Sequence, residues 1–278
     1  MPVTHSLPYD VNCSILFTEL PVTQRPAAAR AAGFAAVEFW WPWPEEPVPG
    51  DAAVDEFVQA VRDAGVQLVG LNFFAGDLAG PDCGALSIPE KSADFRANVD
   101  VTVAIGERLG TRGFNALYGN RVDGLRPEEQ DHLAAENLSY AARAAARIGG
   151  TVLVEPVSGP KPYPLRTAAD ACAVIDRVRD EGGVHNIALL CDLFHLATNG
   201  DDLDAVVSER AGRVGHVQIA DAPGRHEPGT GTLDIDGYLA ALQDRGYGGW
   251  VGLEYTPSGT STDSFDWLPR QRRGGARA

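Results

Sequence analysis

Four residues carry the chemistry this sequence offers most directly: Glu155 in TVLVEPV, Asp192 in IALLCDLFH, Gln218 in RVGHVQIAD and Glu254 in WVGLEYTP. Each is a polar residue late in a short, otherwise apolar run, where a buried carboxylate or amide is costly unless paired, hydrogen bonded or coordinated. One such glutamate is as readily a structural partner for an arginine as part of a site. Four at the same relative height on consecutive runs point to a common site. Three converging carboxylates repel unless protonated or neutralised, and an all-oxygen set completed by an amide suits a hard divalent cation, magnesium or manganese. His216 precedes Gln218 by two residues and shares its strand face, and His195 follows Asp192 by one short loop step, so either histidine is a candidate for the shell. Glu38 in VEFWW either faces the site or anchors an Arg or Lys at the barrel.

These residues need elements to hold them. Runs rich in β-branched and aromatic residues recur at 11–17, 36–41, 67–74, 113–119, 151–157, 187–195, 213–221 and 250–255, giving eight expected strands. Helical signals lie between them. The clearest is 127–148, with Pro127 in the first turn, Glu128 and Glu129 at the positive dipole end, an Ala-rich body, and Gly149 and Gly150 as the stop. Similar signals bracket 91–109, and the segments 27–33 and 56–65 each end in glycine, as a left-handed C-terminal residue requires. Eight β/α units in 278 residues predict an α/β fold with a single closed (β/α)8 TIM barrel rather than an open doubly wound sheet. No linker or composition shift marks a boundary, so one domain is expected over 1–278, with a C-terminal helix and a basic tail from about residue 258. In such a barrel the active site lies at the C-terminal strand ends, where the four polar residues fall.

A formal charge of −15 disfavours nucleic acid and anionic membranes as partners, because both recruit Lys and Arg to neutralise phosphate. The four scattered cysteines form no CxxC pair, and neither a targeting pattern nor an apolar run of the roughly 18 residues that span a bilayer is present. A soluble protein of the reducing cytoplasm is expected. The arginines of RQRRGGARA are expected in a solvated, disordered end. The loop GRHEPGTG has the outer spacing of a phosphate-binding loop, but Thr230 and Gly231 stand where that motif needs Lys and then Ser or Thr. The string EFWWPWPEEP, with three of the five tryptophans, reads as a substrate lid, a subunit contact in a homo-oligomer, or core packing.

The segments VEFWWPW, GLNFFAGD, VLVEPV, CDLFH, HVQIADAPGRHEPGTG and GYGGWVGLEYTP, in this order on successive units, resemble the hydroxypyruvate isomerases within the xylose isomerase-like barrels. The resemblance spans most of the chain. It implies a metal held by Glu155, Asp192, Gln218 and Glu254, with Glu155 and Glu254 also the proton donor and acceptor. It implies interconversion of hydroxypyruvate and tartronate semialdehyde without an organic cofactor. A cation bridging the carbonyl and neighbouring hydroxyl would acidify the carbon-bound proton and stabilise the enediolate. Arg225 and His226 are candidates to hold the substrate carboxylate, and His195, His216 and Asn72 join them as substrate-binding candidates. Two places depart from the family pattern: the loop PVSGPKPYPLRT, where relatives usually carry an Asn near Ser158, and Thr232, where the family commonly has Glu. Both fall where substrate identity is normally decided. A related sugar or keto-acid isomerase or epimerase, such as one acting on 2-oxo-tetronate, is the near alternative. A metal-dependent nuclease for abasic DNA and a non-catalytic sugar-acid binder fit less well, given the charge and the retention of both glutamates.

Overall fold

A computed structural model defines residues 5–274 except residues 79 and 160. Its eight strands are β1 (Tyr9–Asn12), β2 (Ala36–Phe39), β3 (Gln67–Asn72), β4 (Gly113–Asn115), β5 (Thr151–Val154), β6 (Ile187–Asp192), β7 (Val214–Ile219) and β8 (Val251–Leu253). They pair in sequence order, all parallel, and β8 closes on β1. The connecting helices are α1 (Arg25–Ala31), α2 (Asp51–Ala64), α3 (Ser92–Leu109), α4 (Pro127–Ala146), α5 (Ala168–Gly182), α6 (Leu193–Asn199), α7 (Leu203–Glu209) and α8 (Ile235–Asp244), followed by a short α9 (Arg270–Arg273). This is the expected single α/β barrel.

Strand ends differ from the sequence reading, and local hydrogen bonding explains where. The first run was expected over 11–17, yet β1 ends at Asn12 because its carbonyl accepts the N–H groups of Ile15 and Leu16, turning the chain; Phe17 then adopts a left-handed φ of 58°. The sixth run was expected to reach 195, yet β6 stops at Asp192. There the carboxylate Oδ1 accepts the backbone N–H groups of Phe194 and His195 and starts α6 as its N-cap. The last strand residue is thereby also the first anchor of the following helix.

Outside the barrel, Phe73, Phe95 and Phe114 pack edge-on and stacked between strands and helices, at ring separations of 5.6 and 5.7 Å. Inside it, several core positions are polar: Asp10, Asn12, Glu38, His216 and Gln218 are all buried. Glycines make room for them. A Cβ on Gly252 would lie 2.7 Å from Glu38 Oε1, and one on Gly70 would lie 3.2 Å from Glu38 Cβ. The Glu38 side chain therefore occupies space that its neighbours on β3 and β8 leave empty.

The basic C-terminal segment departs from its expected solvated state. Arg270 donates to Ala31 O at 2.8 Å, and Arg273 donates to Ala32 O and Phe265 O at 3.1 and 2.7 Å, so both cations sit on the carbonyl end of α1. Arg277 lies outside the described residues. Trp41 and Trp43 meet edge to face at 5.1 Å, and Trp43 packs edge-on against Phe57 of α2 at 5.6 Å, so these two belong to the core packing of the barrel wall. All four cysteines are free and buried. Among the described residues no helix is long and apolar enough to cross a membrane.

The interior packing sets a stability test. Gly252→Ala should push the Glu38 carboxylate off its position and destabilise the fold by about 1–3 kcal/mol, the usual cost of overpacking. Urea unfolding followed by far-UV circular dichroism would read it as a lower midpoint.

Candidate active site

The C-terminal ends of β5, β6 and β8 bring Glu155, Asp192 and Glu254 together, with His195 from the first turn of α6. One ligand atom from each of the four lies within 4.8 Å of those of the others, and all four are buried. Three carboxylates at this separation destabilise one another's charged forms. Burial, and then Glu254 and Asp192, push the Glu155 carboxyl well above its usual range. Burial pushes Glu254 up to about 7 against the opposing pull of Arg225, and burial raises Asp192 also.

Glu155 and Glu254 are held by donors from other strands and loops, and Asp192 by the helix it caps. Glu254 Oε1 accepts from Trp40 Nε1 at 2.6 Å and from Asn12 Nδ2 at 3.0 Å, and its Oε2 accepts from Arg225 Nη2 at 2.9 Å. Glu155 Oε2 accepts from Asn115 Nδ2 at 2.6 Å. Asp192 spends Oδ1 on capping α6, whereas its Oδ2 is buried without a hydrogen-bond partner.

Gln218 is tied to this group from below. Its Nε2 donates to Glu38 Oε1 at 2.7 Å. Because an ionised carboxylate only accepts, this bond fixes which end of the amide faces Glu38 and leaves Gln218 Oε1 as the free acceptor. That oxygen too is buried and unpartnered. Glu38 stays ionised although burial opposes it, because His216 Nε2 lies 2.6 Å from its Oε2 and holds its carboxyl below the usual range. Burial likewise opposes charge on His216, but the attraction of Glu38 prevails and raises its pKa to about 9. Of the two roles the sequence left open for Glu38, facing the site or anchoring an Arg or Lys, the structure shows neither in that form: its ion partner is His216. Asp10 joins this lower layer, its carboxyl pushed well above its usual range by burial and by Glu38. The Glu155, Asp192 and Glu254 carboxylates, with Asp192 Oδ2 left without a partner, form an oxygen-rich group of the chemistry that suits a hard divalent cation, and Gln218 Oε1 is a further unpartnered buried oxygen.

His195 groups with the three carboxylates, and its hydrogen bonding sets its tautomer. The Ser158 backbone N–H donates to His195 Nδ1 at 3.1 Å, and Ser158 Oγ lies 2.7 Å from the same atom. Nδ1 must therefore be the unprotonated nitrogen, and since burial followed by Arg225 lowers the pKa of His195 to about 3, the neutral ring carries its proton on Nε2. Nε2–H is 3.6 Å from Asp192 Oδ2 and 3.9 Å from Glu155 Oε1, beyond a hydrogen bond to either, and is an available donor at the centre of the site.

Above the carboxylates lies a pocket of about 210 Å³ lined by Glu155, Glu254, His195, Arg225, Asn72 and Trp40, with Lys161, Ser158 and Cys83 among its further walls. Two residues expected to meet substrate are placed elsewhere. His216 lies in the barrel interior on Glu38, because residues two apart on β7 share an inward face but sit at different depths. His226 Nδ1 contacts Thr256 O at 2.7 Å, and the residue is outside the pocket lining. Sequence reasoning missed Asn12 and Asn115, although both end inward strands as polar residues and the signal that found Glu155 applies to them equally. It also missed Lys161, which carries no strand signal, whereas Trp40 fell in the string read as a lid, a subunit contact or core packing, and Ser158 in the loop noted for departing from the family pattern.

The glycine-rich loop after β7 encloses an anion, but one the protein supplies itself. Asp221 accepts from the backbone N–H groups of Ala222, Gly229 and Leu233 at 2.9, 2.8 and 3.1 Å. A Cβ on Gly231 would meet Asp221 Oδ1 at 2.5 Å and Ala222 O at 2.4 Å, so glycine is needed for the loop to wrap the carboxylate. The loop holds Arg225 at a left-handed φ of 60°, a conformation costing an L-residue about 1–2 kcal/mol, with its carbonyl bonded to Thr256 N–H at 2.8 Å. Asp221→Ala should strand these donors, destabilise the protein by about 2–4 kcal/mol and accelerate amide exchange across residues 222–233. Hydrogen–deuterium exchange with mass spectrometry would measure the second effect; unchanged protection there would contradict this account of the loop.

Comparison with known proteins agrees with the geometry. Residues 26–271 match the xylose isomerase-like TIM barrel family. The chain is 56% identical to a putative hydroxypyruvate isomerase of Streptomyces coelicolor over 97% of both chains. It is 30% identical to the hydroxypyruvate isomerase of Escherichia coli, over 96% of this chain and 100% of the other. A crystal structure from Brucella melitensis described as an AP endonuclease of family 2 superposes with a TM-score of 0.84 at 31% identity, covering 94% of this chain and 98% of that one. Closed parallel barrel, carboxylates at the C-terminal strand ends and full-length similarity agree: the chain belongs to the xylose isomerase-like TIM barrel family, alongside the hydroxypyruvate isomerases.

Proposed function

We propose that the protein is a divalent-metal-dependent isomerase of small hydroxy-keto acids, interconverting hydroxypyruvate and tartronate semialdehyde. The observation that carries this reading is the pair Glu155 and Glu254, buried in one small pocket and anchored differently. Glu254 has three donors, including the Arg225 guanidinium, which favour its ionised form, and it acts as the base. Glu155 has a single side-chain donor, Asn115, which supports it as the group that returns the proton. Glu254 takes a proton from the hydroxymethyl carbon, leaving an enediolate, and Glu155 gives a proton to the adjacent carbon. The hydroxyl proton passes between the neighbouring oxygens, where His195 Nε2–H donates to the oxygen that gains charge.

Magnesium or manganese held by Glu155, Asp192, Gln218 and Glu254 would supply Lewis acidity, lowering the pKa of the carbon-bound proton and stabilising the enediolate. Arg225, packed over the Phe194 ring at 5.4 Å, and Asn72 border the space for the substrate's oxygens. The abasic-DNA reading, which the Brucella relative's description raises, is disfavoured by the formal charge of −15, which repels a phosphate backbone.

Replacing Glu155 or Glu254 by Gln keeps shape and removes the proton acceptor. Either change should lower kcat on hydroxypyruvate by roughly 10²–10⁴ with circular dichroism unchanged, and full activity in either variant would defeat the assignment. Chelation should abolish turnover, and adding back magnesium or manganese should restore it, in a panel of hydroxypyruvate, 2-oxo-tetronate and simple ketoses. Product formed in heavy water should carry deuterium on carbon; complete retention of the original hydrogen would favour a shielded transfer or a hydride shift.

A further inference from the structure

The pocket has two cationic side chains in its lining, Arg225 and Lys161, and they are engaged differently. Arg225 is committed to the carboxylate floor through its 2.9 Å contact with Glu254. Lys161 donates to a neutral acceptor, Leu78 O, at 2.7 Å, and among the described residues it has no ion pair with a carboxylate. An ammonium has three N–H donors, so this one contact leaves capacity for a ligand.

We propose that Lys161 is the specificity-determining residue that pairs with the substrate's carboxylate. The inference rests on the hydroxy-keto acid reading above. Charge supports it first. Arg225 is already paired with Glu254, whereas Lys161 donates only to a neutral carbonyl, so Lys161 is the lining cation left to meet an anionic ligand. In a protein of formal charge −15, an anion entering over an acidic floor needs such a counter-charge.

Rigidity supports it second. Lys161 lies on the loop between β5 and α5, and that loop is pinned on both sides of it. Ser158 contacts His195 Nδ1 at 2.7 Å. Tyr163 OH donates to Glu155 O at 3.1 Å and accepts from Tyr118 N–H at 2.9 Å, and Pro162 O accepts from Arg121 N–H at 3.0 Å. A charge carried on a loop tied to Glu155 keeps a set position relative to the proton-transfer groups, so binding the acid end of a ligand there orients the carbons to be enolised. The Lys161 contact with Leu78 also joins this loop to the one after β3, across the pocket wall. This is the stretch PVSGPKPYPLRT, where the sequence departs from the family pattern.

The test pairs a charged and a neutral substrate. Dihydroxyacetone is hydroxypyruvate with its carboxylate replaced by a hydroxymethyl group. Lys161→Met should raise KM for hydroxypyruvate by a factor of about 10 or more, with kcat changed less than about threefold and dihydroxyacetone kinetics unaffected, and Lys161→Arg should recover most of the loss. Calorimetric titration with tartronate, a non-isomerising carboxylate, gives a readout independent of turnover: Lys161→Met should bind it about tenfold or more weakly than wild type. Wild-type tartronate affinity in Lys161→Met, equal losses on charged and neutral substrates, or no tartronate binding by the wild type would each overturn the proposal. If the wild type turns over no hydroxy-keto acid yet loses tartronate binding in Lys161→Met, the isomerase reading fails and the role of Lys161 as carboxylate receptor stands.

Discussion

Gathering three carboxylates out of water at one end of a barrel is the constraint to which the rest of this structure answers. Glu155, Asp192 and Glu254 are each almost fully buried, and mutual repulsion adds to the loss of hydration. The fold offsets this with fixed donors, from distant parts of the chain in Asn12 at the end of β1, Trp40 after β2, Asn115 at the end of β4 and Arg225 after β7, and locally in the first N–H groups of α6, which Asp192 caps. Only a closed ring brings β1 and β8 side by side, so Asn12 reaches Glu254 across 242 residues of sequence. After these donors are counted, Asp192 Oδ2 still lacks a partner within the group it forms with Glu155 and Glu254, as do Asn115 Oδ1 and Gln218 Oε1 nearby in the barrel.

A second layer inside the barrel governs the first. The Glu38–His216 pair lies beneath the carboxylates, and its chemical effect is directional. By keeping Glu38 ionised, His216 makes it an acceptor that captures the amide nitrogen of Gln218 and turns the amide oxygen free. A buried ion pair is weak evidence for net stability, since desolvation offsets most of its Coulomb energy. Its consequence here is orientation of a neighbour. Gly70 and Gly252 belong to the same device, because side chains there would displace Glu38. The loop after β7 follows a similar logic. Asp221 fills the ring of N–H groups that would otherwise invite an external anion, and the wrapped loop holds Arg225 in the strained conformation from which it reaches Glu254.

Much of this was legible in the chain, and the gaps have physical causes. Apolar runs bounded by glycine and helix signals located all eight strands, because a parallel barrel buries both strand faces and the pattern cannot be masked by solvent. Strand ends were misjudged where a polar side chain captures local N–H groups, as Asp192 does, since an apolar run that continues into a buried helix looks the same as a longer strand. Arg270 and Arg273 read as tail residues because charge alone does not reveal that the carbonyls of α1 end nearby.

Glu155, Asp192, Gln218 and Glu254 stand out in the sequence by residue type and position, since a polar group at the inward end of a barrel strand demands compensation wherever the chain goes. The composition likewise bears on partners, because the net negative charge belongs to the chain regardless of its fold. What depends on tertiary structure is how each polar atom is used. His216 and His195 look equivalent on paper, yet depth in the barrel joins one to Glu38 and a backbone N–H from Ser158 makes the other a neutral donor. Lys161 comes to the site on a loop whose path no periodicity encodes, and Trp40, one residue beyond β2, reaches Glu254 only because β1 and β8 close the ring. Strand patterning is a local property of a few residues, whereas tautomer, amide direction and ion pairing depend on atoms that meet only when the ring closes.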